Sequence, residues 1–360
     1  MTVKFKKKLI DKVPYEAASV FDVNNNGKLD IVCGEYWYEA PDWKKHKICD
    51  VQREGEYYDD FSDIPLDVNG NGYMDIITGG WWGKTLRWRE NPLGRPEEWK
   101  VHDIDKCGEI ETIRLFDIDG DGMPEIIPNT PGMPQAFYKL IIDSQGKGTG
   151  KFKKFVLMDK PSGHGLGFGD INGDGRVDII LAKGWLEAPK DRLHGQWVFH
   201  EEFDLESASI PIIVYDVNKD GLADLIVGQA HAYGLHWWEQ KKESNGKRTW
   251  IKHDIDLKSS QYHDLQMVDI DNDGELELIT GKRYRAHCGK DPGANDPIGL
   301  YYFKINEGNF QKNVIDYGPP DKASGCGIYF AIADLNRNGW LDIVAPGKEG
   351  LYLFENLTDE

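Results

Sequence analysis

The chain has 360 residues, of which 61 are acidic and 43 are basic, and its formal net charge is −18. A surface this acidic repels phosphate backbones, so nucleic-acid binding is excluded as a general function. No run of about 18 apolar residues occurs, the length that crosses a bilayer, so no membrane partner is expected.

The first predicted element is a β-strand at residues 3–11, Val-Lys-Phe-Lys-Lys-Lys-Leu-Ile-Asp. The start of the chain is basic but has no apolar stretch of signal-peptide length. We therefore expect a cytoplasmic protein.

Beyond this strand, one acidic phrase, D-x-[DN]-x-[DN]-G-x-x-[DE], occurs seven times at intervals of 45–65 residues. Its copies begin at Asp22, Asp67, Asp117, Asp170, Asp216, Asp269 and Asp334. A period of this length is typical of propellers, in which each repeat forms one blade. A short apolar run flanks each copy on both sides, so the phrase predicts a tight turn between two antiparallel strands.

The oxygen atoms at positions 1, 3, 5 and 9 of the phrase predict a structural Ca²⁺ site, with Mg²⁺ possible in some copies. The helical calcium hand is excluded, because position 12 lies in a strand-like run, as at Leu181. The number of acids predicts that the third and sixth copies bind most tightly. The predicted ligands are Asp22, Asn24, Asn26, Asp30, Asp67, Asn69, Asn71, Asp75, Asp117, Asp119, Asp121, Glu125, Asp170, Asn172, Asp174, Asp178, Asp216, Asn218, Asp220, Asp224, Asp269, Asp271, Asp273, Glu277, Asp334, Asn336, Asn338 and Asp342.

Two further strands follow in most repeats, one aromatic and ending near Glu, the next ending in Asp, as at 86–91 and 99–105. The seventh repeat stops after its third strand, and residues 3–11 match the missing fourth. The sequence therefore predicts an all-β fold: a seven-bladed β-propeller of four-stranded blades, closed by the N-terminal strand. Residues 1–360 form a single domain in this prediction.

Metal-ligand residue types recur six residues before the acidic phrase, where the innermost strands should begin. Glu111, His164 and His263 occupy this position, and Glu16 is a weaker fourth candidate. We expect the first three to hold a divalent transition metal such as Zn²⁺ or Mn²⁺ in the channel. The alternative is that each histidine is an ordinary hydrogen-bonded structural residue.

Aromatic and basic residues are expected at the same mouth of the propeller. Trp37, Trp81 and Trp82 are candidate platforms for a sugar ring, with burial between blades as the alternative. The longest insertion, residues 281–299, is expected to cap the site rather than form a solvated excursion. Its candidate substrate-binding residues are Lys282, Arg283, Arg285 and His287.

The acidic phrase resembles the FG-GAP or VCBS repeat over essentially the whole chain. In addition, three segments resemble the propeller part of aldos-2-ulose dehydratases: residues 163–175, 184–189 and 261–266. This resemblance implies elimination of water from a keto sugar with the help of a metal ion. The fungal members carry cupin domains after the propeller, and this chain has none, so isomerase activity is not expected.

For such a lyase, we expect the channel metal to polarise the carbonyl and His231 to remove the neighbouring proton. Tyr233 or Tyr262 would protonate the departing hydroxide. Two alternatives stay open: β-elimination from a uronic-acid polysaccharide, and a non-catalytic propeller that binds a glycan or a protein. The partner is then a small sugar or oligosaccharide, and a homo-oligomer is left open.

Overall fold

The structure, a computed structural model, describes residues 3–358, and within this range its only helix is a short 3-10 turn at Ala286–Gly289. No helix in the described range is both long and apolar enough to span a membrane. The strands are, in chain order, β1 (Phe5–Asp11), β2 (Ser19–Phe21), β3 (Asp30–Cys33), β4 (Tyr36–Glu39), β5 (Lys44–Lys47), β6 (Arg53–Glu54), β7 (Tyr57–Tyr58), β8 (Ile64–Leu66), β9 (Asp75–Thr78), β10 (Leu86–Glu90), β11 (Lys100–Asp105), β12 (Thr112–Phe116), β13 (Glu125–Asn129), β14 (Pro134–Ile142), β15 (Gly148–Pro161), β16 (Leu166–Gly169), β17 (Asp178–Leu181), β18 (Gly184–Glu187), β19 (Val198–His200), β20 (Ile212–Tyr215), β21 (Asp224–Gly228), β22 (Tyr233–Lys242), β23 (Arg248–Ser260), β24 (Tyr262–Val268), β25 (Glu277–Lys282), β26 (Ile298–Asn306), β27 (Asn309–Gly318), β28 (Ala331–Ala333), β29 (Asp342–Ala345) and β30 (Leu351–Asn356).

These strands form an all-β propeller arrangement, but its sheets differ in number from the prediction. Five separate sheets have four strands each: β2–β5, β8–β11, β12–β15, β24–β27, and β28–β30 with β1. Strands β16–β23 form one continuous eight-stranded sheet, and β6 and β7 form a small hairpin. The prediction of seven separate four-stranded blades is therefore wrong, because the structure has five separate four-stranded sheets.

Glycines explain why two repeats share one sheet. Strand β16 pairs in parallel with β20 through Gly167↔Ile212 and Phe168↔Ile213. A Cβ atom on Gly167 would lie 2.3 Å from the carbonyl oxygen of Ile212, and one on Gly169 would lie 2.5 Å from Val214 Cβ. Only a strand without side chains at these two positions lets the neighbouring backbone come within hydrogen-bonding distance.

The N-terminal strand lies in the sheet of the last repeat. Strand β1 runs antiparallel to β30, from Phe5↔Asn356 to Asp11↔Leu351. The hydrogen-bonding edge of β30 is thereby covered by the chain's own first strand.

Each acidic turn joins the first and second strands of a repeat, and its ninth residue is buried beneath it. Asp75 is representative: its carboxylate accepts hydrogen bonds from the backbone N–H of Val68 at 2.9 Å and of Asn91 at 2.8 Å. Burial raises the pKa of Asp75 to about 7, against the lowering effect of these two bonds. This residue therefore ties the turn to the end of the third strand.

The core lies between neighbouring sheets. Ile77 and Trp88 of one sheet pack against Ile113 and Ile126 of the next, and equivalent clusters recur around the molecule. The first strands of six repeats face a central channel of about 500 Å³ instead, with Arg114 and Asp264 among its lining residues. This arrangement brings residues near the starts of the innermost strands close together.

Candidate functional site

Glu111, His164 and His263 converge where the innermost strands begin. Glu111 precedes β12, His164 precedes β16, and His263 is the second residue of β24. The Nε2 atom of His263 lies 2.9 Å from Glu111 Oε1, and His164 Nε2 lies 3.4 Å from the same oxygen. The three residues come from sequence positions up to 152 apart, so the propeller arrangement alone brings them together.

His231, in the loop between β21 and β22, is the fourth member of this group. Its Nε2 atom lies 3.1 Å from His164 Nε2 and 4.0 Å from Glu111 Oε1. One ligand atom from each of the four side chains lies within 4.8 Å of the other three. We call Glu111, His164, His231 and His263 the His/Glu cluster.

Hydrogen bonds on the outer side fix the orientation of two of the rings. His164 Nδ1 lies 2.8 Å from the carbonyl oxygen of Ala208, and His231 Nδ1 lies 2.9 Å from Asp291 Oδ2. Because both partners are acceptors, both Nδ1 atoms carry the hydrogen and both Nε2 atoms present a lone pair in the neutral ring. Two lone pairs 3.1 Å apart repel each other unless a cation lies between or beside them.

Burial sets the charge of the cluster. It lowers the pKa of His263 to about 3, although the hydrogen bond to Glu111 acts in the opposite direction. Burial also lowers the pKa of His231, against the effect of Asp291. Burial by itself would raise the pKa of Glu111, but His164 and His263 hold it well below its usual range. Glu111 is therefore a carboxylate, and burial favours the neutral form of His231 and His263 beside it.

This donor set fits a transition-metal ion. Three imidazole nitrogens and one carboxylate oxygen are ligands for Zn²⁺ and for other divalent ions that accept nitrogen. Tetrahedral ligands about 2.0–2.1 Å from zinc are roughly 3.3 Å apart. The measured separations from Glu111 Oε1, 2.9, 3.4 and 4.0 Å, bracket this value.

An aromatic pocket of about 100 Å³ opens beside the cluster and has Glu111 in its wall. The ring centroid of Trp82 lies 5.1 Å from that of Tyr57 and 5.8 Å from that of Phe61. We call this the aromatic pocket, and its lining residues are Tyr57, Phe61, Trp81, Trp82, Glu111, Arg283 and His287.

The insertion at 281–299 contacts the cluster directly. Asp291 accepts hydrogen bonds from His231 Nδ1 at 2.9 Å and from His287 Nδ1 at 2.7 Å. The rings of His231 and His287 are stacked with their centroids 4.4 Å apart. The segment therefore supplies one wall of the aromatic pocket and also supports a cluster residue from outside.

Both arginines expected to bind substrate in this region already have a carboxylate partner. Arg283 makes two hydrogen bonds to Glu16, at 2.8 and 3.3 Å, and Lys348 lies 3.7 Å from the same carboxylate. Arg285 is paired in the same way with Glu56, at 2.6 and 2.9 Å. Glu16, considered above as a metal ligand, is therefore the partner of Arg283 instead.

Several of the predicted site residues lie outside the aromatic pocket. Lys282 is 1% exposed, and its ammonium donates to Ser260 Oγ at 3.1 Å. Trp37 is buried in the core and stacks on His46, with centroids 4.3 Å apart. Tyr262 donates a hydrogen bond to Asp256 at 2.6 Å. Tyr262 faces the neighbouring sheet because side chains alternate along β24, so His263 alone points to the cluster.

The remaining predicted catalytic residue, Tyr233, lies at the rim rather than in the aromatic pocket. Its side chain is exposed, and its hydroxyl donates to Asp296 of the insertion. Sequence reasoning missed Asp291 and Tyr57. The length of the insertion indicated a cap, but nothing in the sequence distinguishes Asp291 from the other acidic residue of the insertion, Asp296. Tyr57 belongs to a two-strand hairpin outside the repeat pattern.

Comparison with known proteins supports the repeat and the fold. The FG-GAP-like repeat family matches residues 67–127 and 216–280, and each match spans two acidic turns. No curated protein matches the chain in sequence.

Solved structures with the same overall arrangement share little sequence with this chain. BBS1N, solved in complex with ARL6DN, has a TM-score of 0.52 at 11% identity, covering 98% of this chain and 96% of that one. A putative phosphatase from Bacteroides thetaiotaomicron has a TM-score of 0.52 at 9% identity, covering 100% and 80%. The V. cholerae biofilm matrix protein Bap1 has a TM-score of 0.50 at 11% identity, covering 99% and 92%. At these identities the likeness concerns the fold alone.

Proposed function

We propose that this protein is a metal-dependent carbon–oxygen lyase that removes water from a neutral keto sugar in the aromatic pocket. The observation that carries the proposal is the meeting of three histidines and one glutamate at the wall of a small aromatic pocket. The resemblance to aldos-2-ulose dehydratases supports the same reaction. In this proposal the eight-stranded sheet counts as two blades, which gives seven units with β1 closing the ring.

The residues that would hold the metal are Glu111, His164, His231 and His263. When bound, such an ion would supply Lewis-acid polarisation of a substrate carbonyl taken up as a further ligand, which would acidify the hydrogen on the neighbouring carbon. Tyr57, Phe61 and Trp82 offer flat apolar faces to the C–H side of a sugar ring. Their close packing excludes water from one face of the substrate.

The proton acceptor in this proposal is His287 rather than His231. His231 points its Nε2 atom into the cluster, where it is taken up as a ligand. His287 lines the aromatic pocket, and Asp291 holds its Nδ1–H, so its Nε2 atom is the one that exchanges protons. The proton on the carbon beside the carbonyl passes to His287 Nε2, the C–O bond to the hydroxyl on the next carbon breaks, and the proton on His287 joins the departing hydroxide, so that the net loss is one water molecule.

The contacts of the basic side chains near the aromatic pocket favour a neutral substrate over a uronic acid. Recognition of a carboxylate requires a cation whose charge is not already neutralised, whereas Arg283 and Arg285 are each paired with a glutamate through two hydrogen bonds. Lys282 is buried outside the aromatic pocket. These contacts support a neutral substrate over the uronic acid of the polysaccharide-lyase alternative.

The proposal is tested by incubating the zinc- or manganese-loaded protein with 1,5-anhydrofructose and with 2-keto and 3-keto glucosides. Formation of the dehydrated enone is followed by ultraviolet absorbance and NMR. We expect turnover by the wild type and a loss of at least about 100-fold in His287→Ala, as for removal of a general base. The exposed His194, paired with Asp191, provides the matched control, and His194→Ala should retain activity. Binding of a sugar without any turnover would instead favour the non-catalytic propeller.

A further inference from the structure

The seven acidic turns fall into two types. The types differ in residue type at three positions, and the three differences always occur together. Register places one residue of each third strand opposite the ninth residue of the acidic phrase. Where the third residue of the phrase is Asn and the ninth is Asp, this opposite residue is Glu39, Glu90, Glu187, Glu239 or Glu355. Where the third is Asp and the ninth is Glu, in the third and sixth repeats, it is Lys139 or Lys304. We call these two the lysine turns.

The ammonium of Lys139 lies among the oxygen atoms that would otherwise bind a cation. Its Nζ atom is 2.7 Å from Asp119, 2.8 Å from Asp121 and 2.6 Å from Glu125. These are positions 3, 5 and 9 of the acidic phrase. Burial lowers the pKa of Lys139, but the three carboxylates outweigh it and raise that pKa, so the side chain carries its positive charge.

Lys304 repeats this geometry in the sixth repeat. Its Nζ atom lies 2.5 Å from Asp271, 2.9 Å from Asp273 and 3.7 Å from Glu277. The two lysines come from different repeats, yet each approaches the same three positions of its turn. The arrangement is therefore a property of this turn type and not an accident of one surface.

In the other turns the opposite residue makes different contacts. Glu39 accepts a hydrogen bond from Asn24 Nδ2 at 3.1 Å and lies 3.0 Å from His46 Nε2. The ninth residue, Asp30, uses its second oxygen for the backbone N–H of Ala40, at 2.8 Å. In the third repeat the longer Glu125 instead directs Oε1 to the lysine. The change from Asp to Glu thus accompanies the change from Glu to Lys.

We infer that in the lysine turns the ammonium group is the resident cation, so these two turns bind no divalent ion. Calcium requires six to eight oxygen ligands, and three of those that each turn offers contact the ammonium. A divalent ion would have to displace the lysine ammonium. Because this group is covalently attached to the chain, it stays beside the carboxylates whatever the concentration of ions in solution. The acid count, which ranked these turns as the tightest calcium sites, is therefore offset by the lysine.

The inference is tested by measuring bound Ca²⁺ per chain by isothermal titration, with Tb³⁺ luminescence as a second readout. Lys139→Met and Lys304→Met should each gain one bound ion, and the double variant two, because the same oxygens lose their ammonium. Lys154→Met, which removes a surface lysine paired with Asp105, should match the wild type. An unchanged ion count in both lysine variants would overturn the inference.

A second variant keeps the test decisive if the methionine variants do not fold. Asp119→Asn in the presence of Lys139 should leave the number of calcium ions bound by the protein unchanged. A loss of one ion in Asp119→Asn would show that the third turn binds calcium in the wild type and would contradict the inference.

Discussion

The orientation of His231 depends on a residue from the insertion. Its Nδ1 atom is held by Asp291, and the face of its ring is covered by His287. His164 is held by the backbone of Ala208 instead. A carboxylate behind a ligating histidine fixes its tautomer and increases its basicity. Asp291 is therefore a positioning residue for the proposed metal centre.

Asp291→Ala is expected to weaken zinc binding by about 10–100-fold, the range for loss of such an outer partner. The measurement is competition with a chromophoric chelator. Asp296→Ala is the matched control, because Asp296 lies in the same insertion but contacts the exposed Tyr233. Equal zinc affinity in the wild type and Asp291→Ala would contradict the assignment.

The burial of Lys282 predicts how the stability of the protein changes with pH. Burial lowers its pKa from 10.5 to about 8 in the folded chain. Between these values the unfolded chain binds more protons, so the stability contributed by Lys282 rises with pH. The free energy of unfolding of the wild type should therefore increase relative to Lys282→Met by about 1–2 kcal/mol between pH 8 and 9.5.

Urea unfolding of both proteins at these two pH values checks this expectation. Taking the difference in unfolding free energy between the two proteins removes the contribution of titrating groups that both contain. A difference that stays constant would show that Lys282 keeps its ordinary pKa in the folded chain, and one that falls as the pH rises would show that this pKa is raised; either result would contradict the expectation.

At the scale of the element, the acidic turn is the part that sequence describes best. Its glycine and its spacing are local, and local constraints determine a strand–turn–strand unit. The role of its ninth residue depends on the third strand of the same sheet, as the bonds of Asp75 to Val68 and Asn91 show. That contact is not visible in the phrase itself.

Asp75→Ala is expected to lower the free energy of unfolding by about 2–4 kcal/mol, because two buried backbone N–H groups lose their acceptor. Asn71→Ala, an exposed position of the same turn, is the control and should cost less. Chemical denaturation measures both. Equal losses in the two variants would indicate that the turn as a whole, and not the buried carboxylate, accounts for the effect.

Which side chains of an element reach the site could not be predicted in every case. Trp37 and Trp82 both lie near strand ends and have the same chemistry, yet Trp37 is buried against His46 and Trp82 lines the aromatic pocket. The difference arises because Trp37 lies within β4 and faces the next sheet, whereas Trp82 lies in the turn between β9 and β10. Likewise, the sequence did not predict the parallel pairing of β16 with β20.

At the scale of the whole molecule, the repeat period predicted the propeller arrangement and placed Glu111, His164 and His263 together. The period could not predict that His231 joins them, because its loop lies outside the aligned positions. Nor could it predict the number of separate sheets, since the joining of two repeats depends on Gly167 and Gly169.

Removal of calcium is expected to lower the melting temperature of the protein by several degrees. Ions that bind only the folded chain stabilise it by mass action. EDTA addition followed by Ca²⁺ or Zn²⁺ back-titration in a thermal melt separates the acidic turns from the His/Glu cluster, and the variant His164→Ala should keep the Ca²⁺-dependent part. A melting curve that EDTA leaves unchanged would indicate that the turns bind no calcium.

The central claim is that the four side chains of the His/Glu cluster bind one transition-metal ion. The most direct measurement is anomalous diffraction at the zinc edge from a crystal soaked in zinc chloride. We expect one strong peak within about 2.0–2.2 Å of Glu111 Oε1 and of the imidazole nitrogens that face it. Zinc found only at the acidic turns, with no peak at the cluster, would contradict the account.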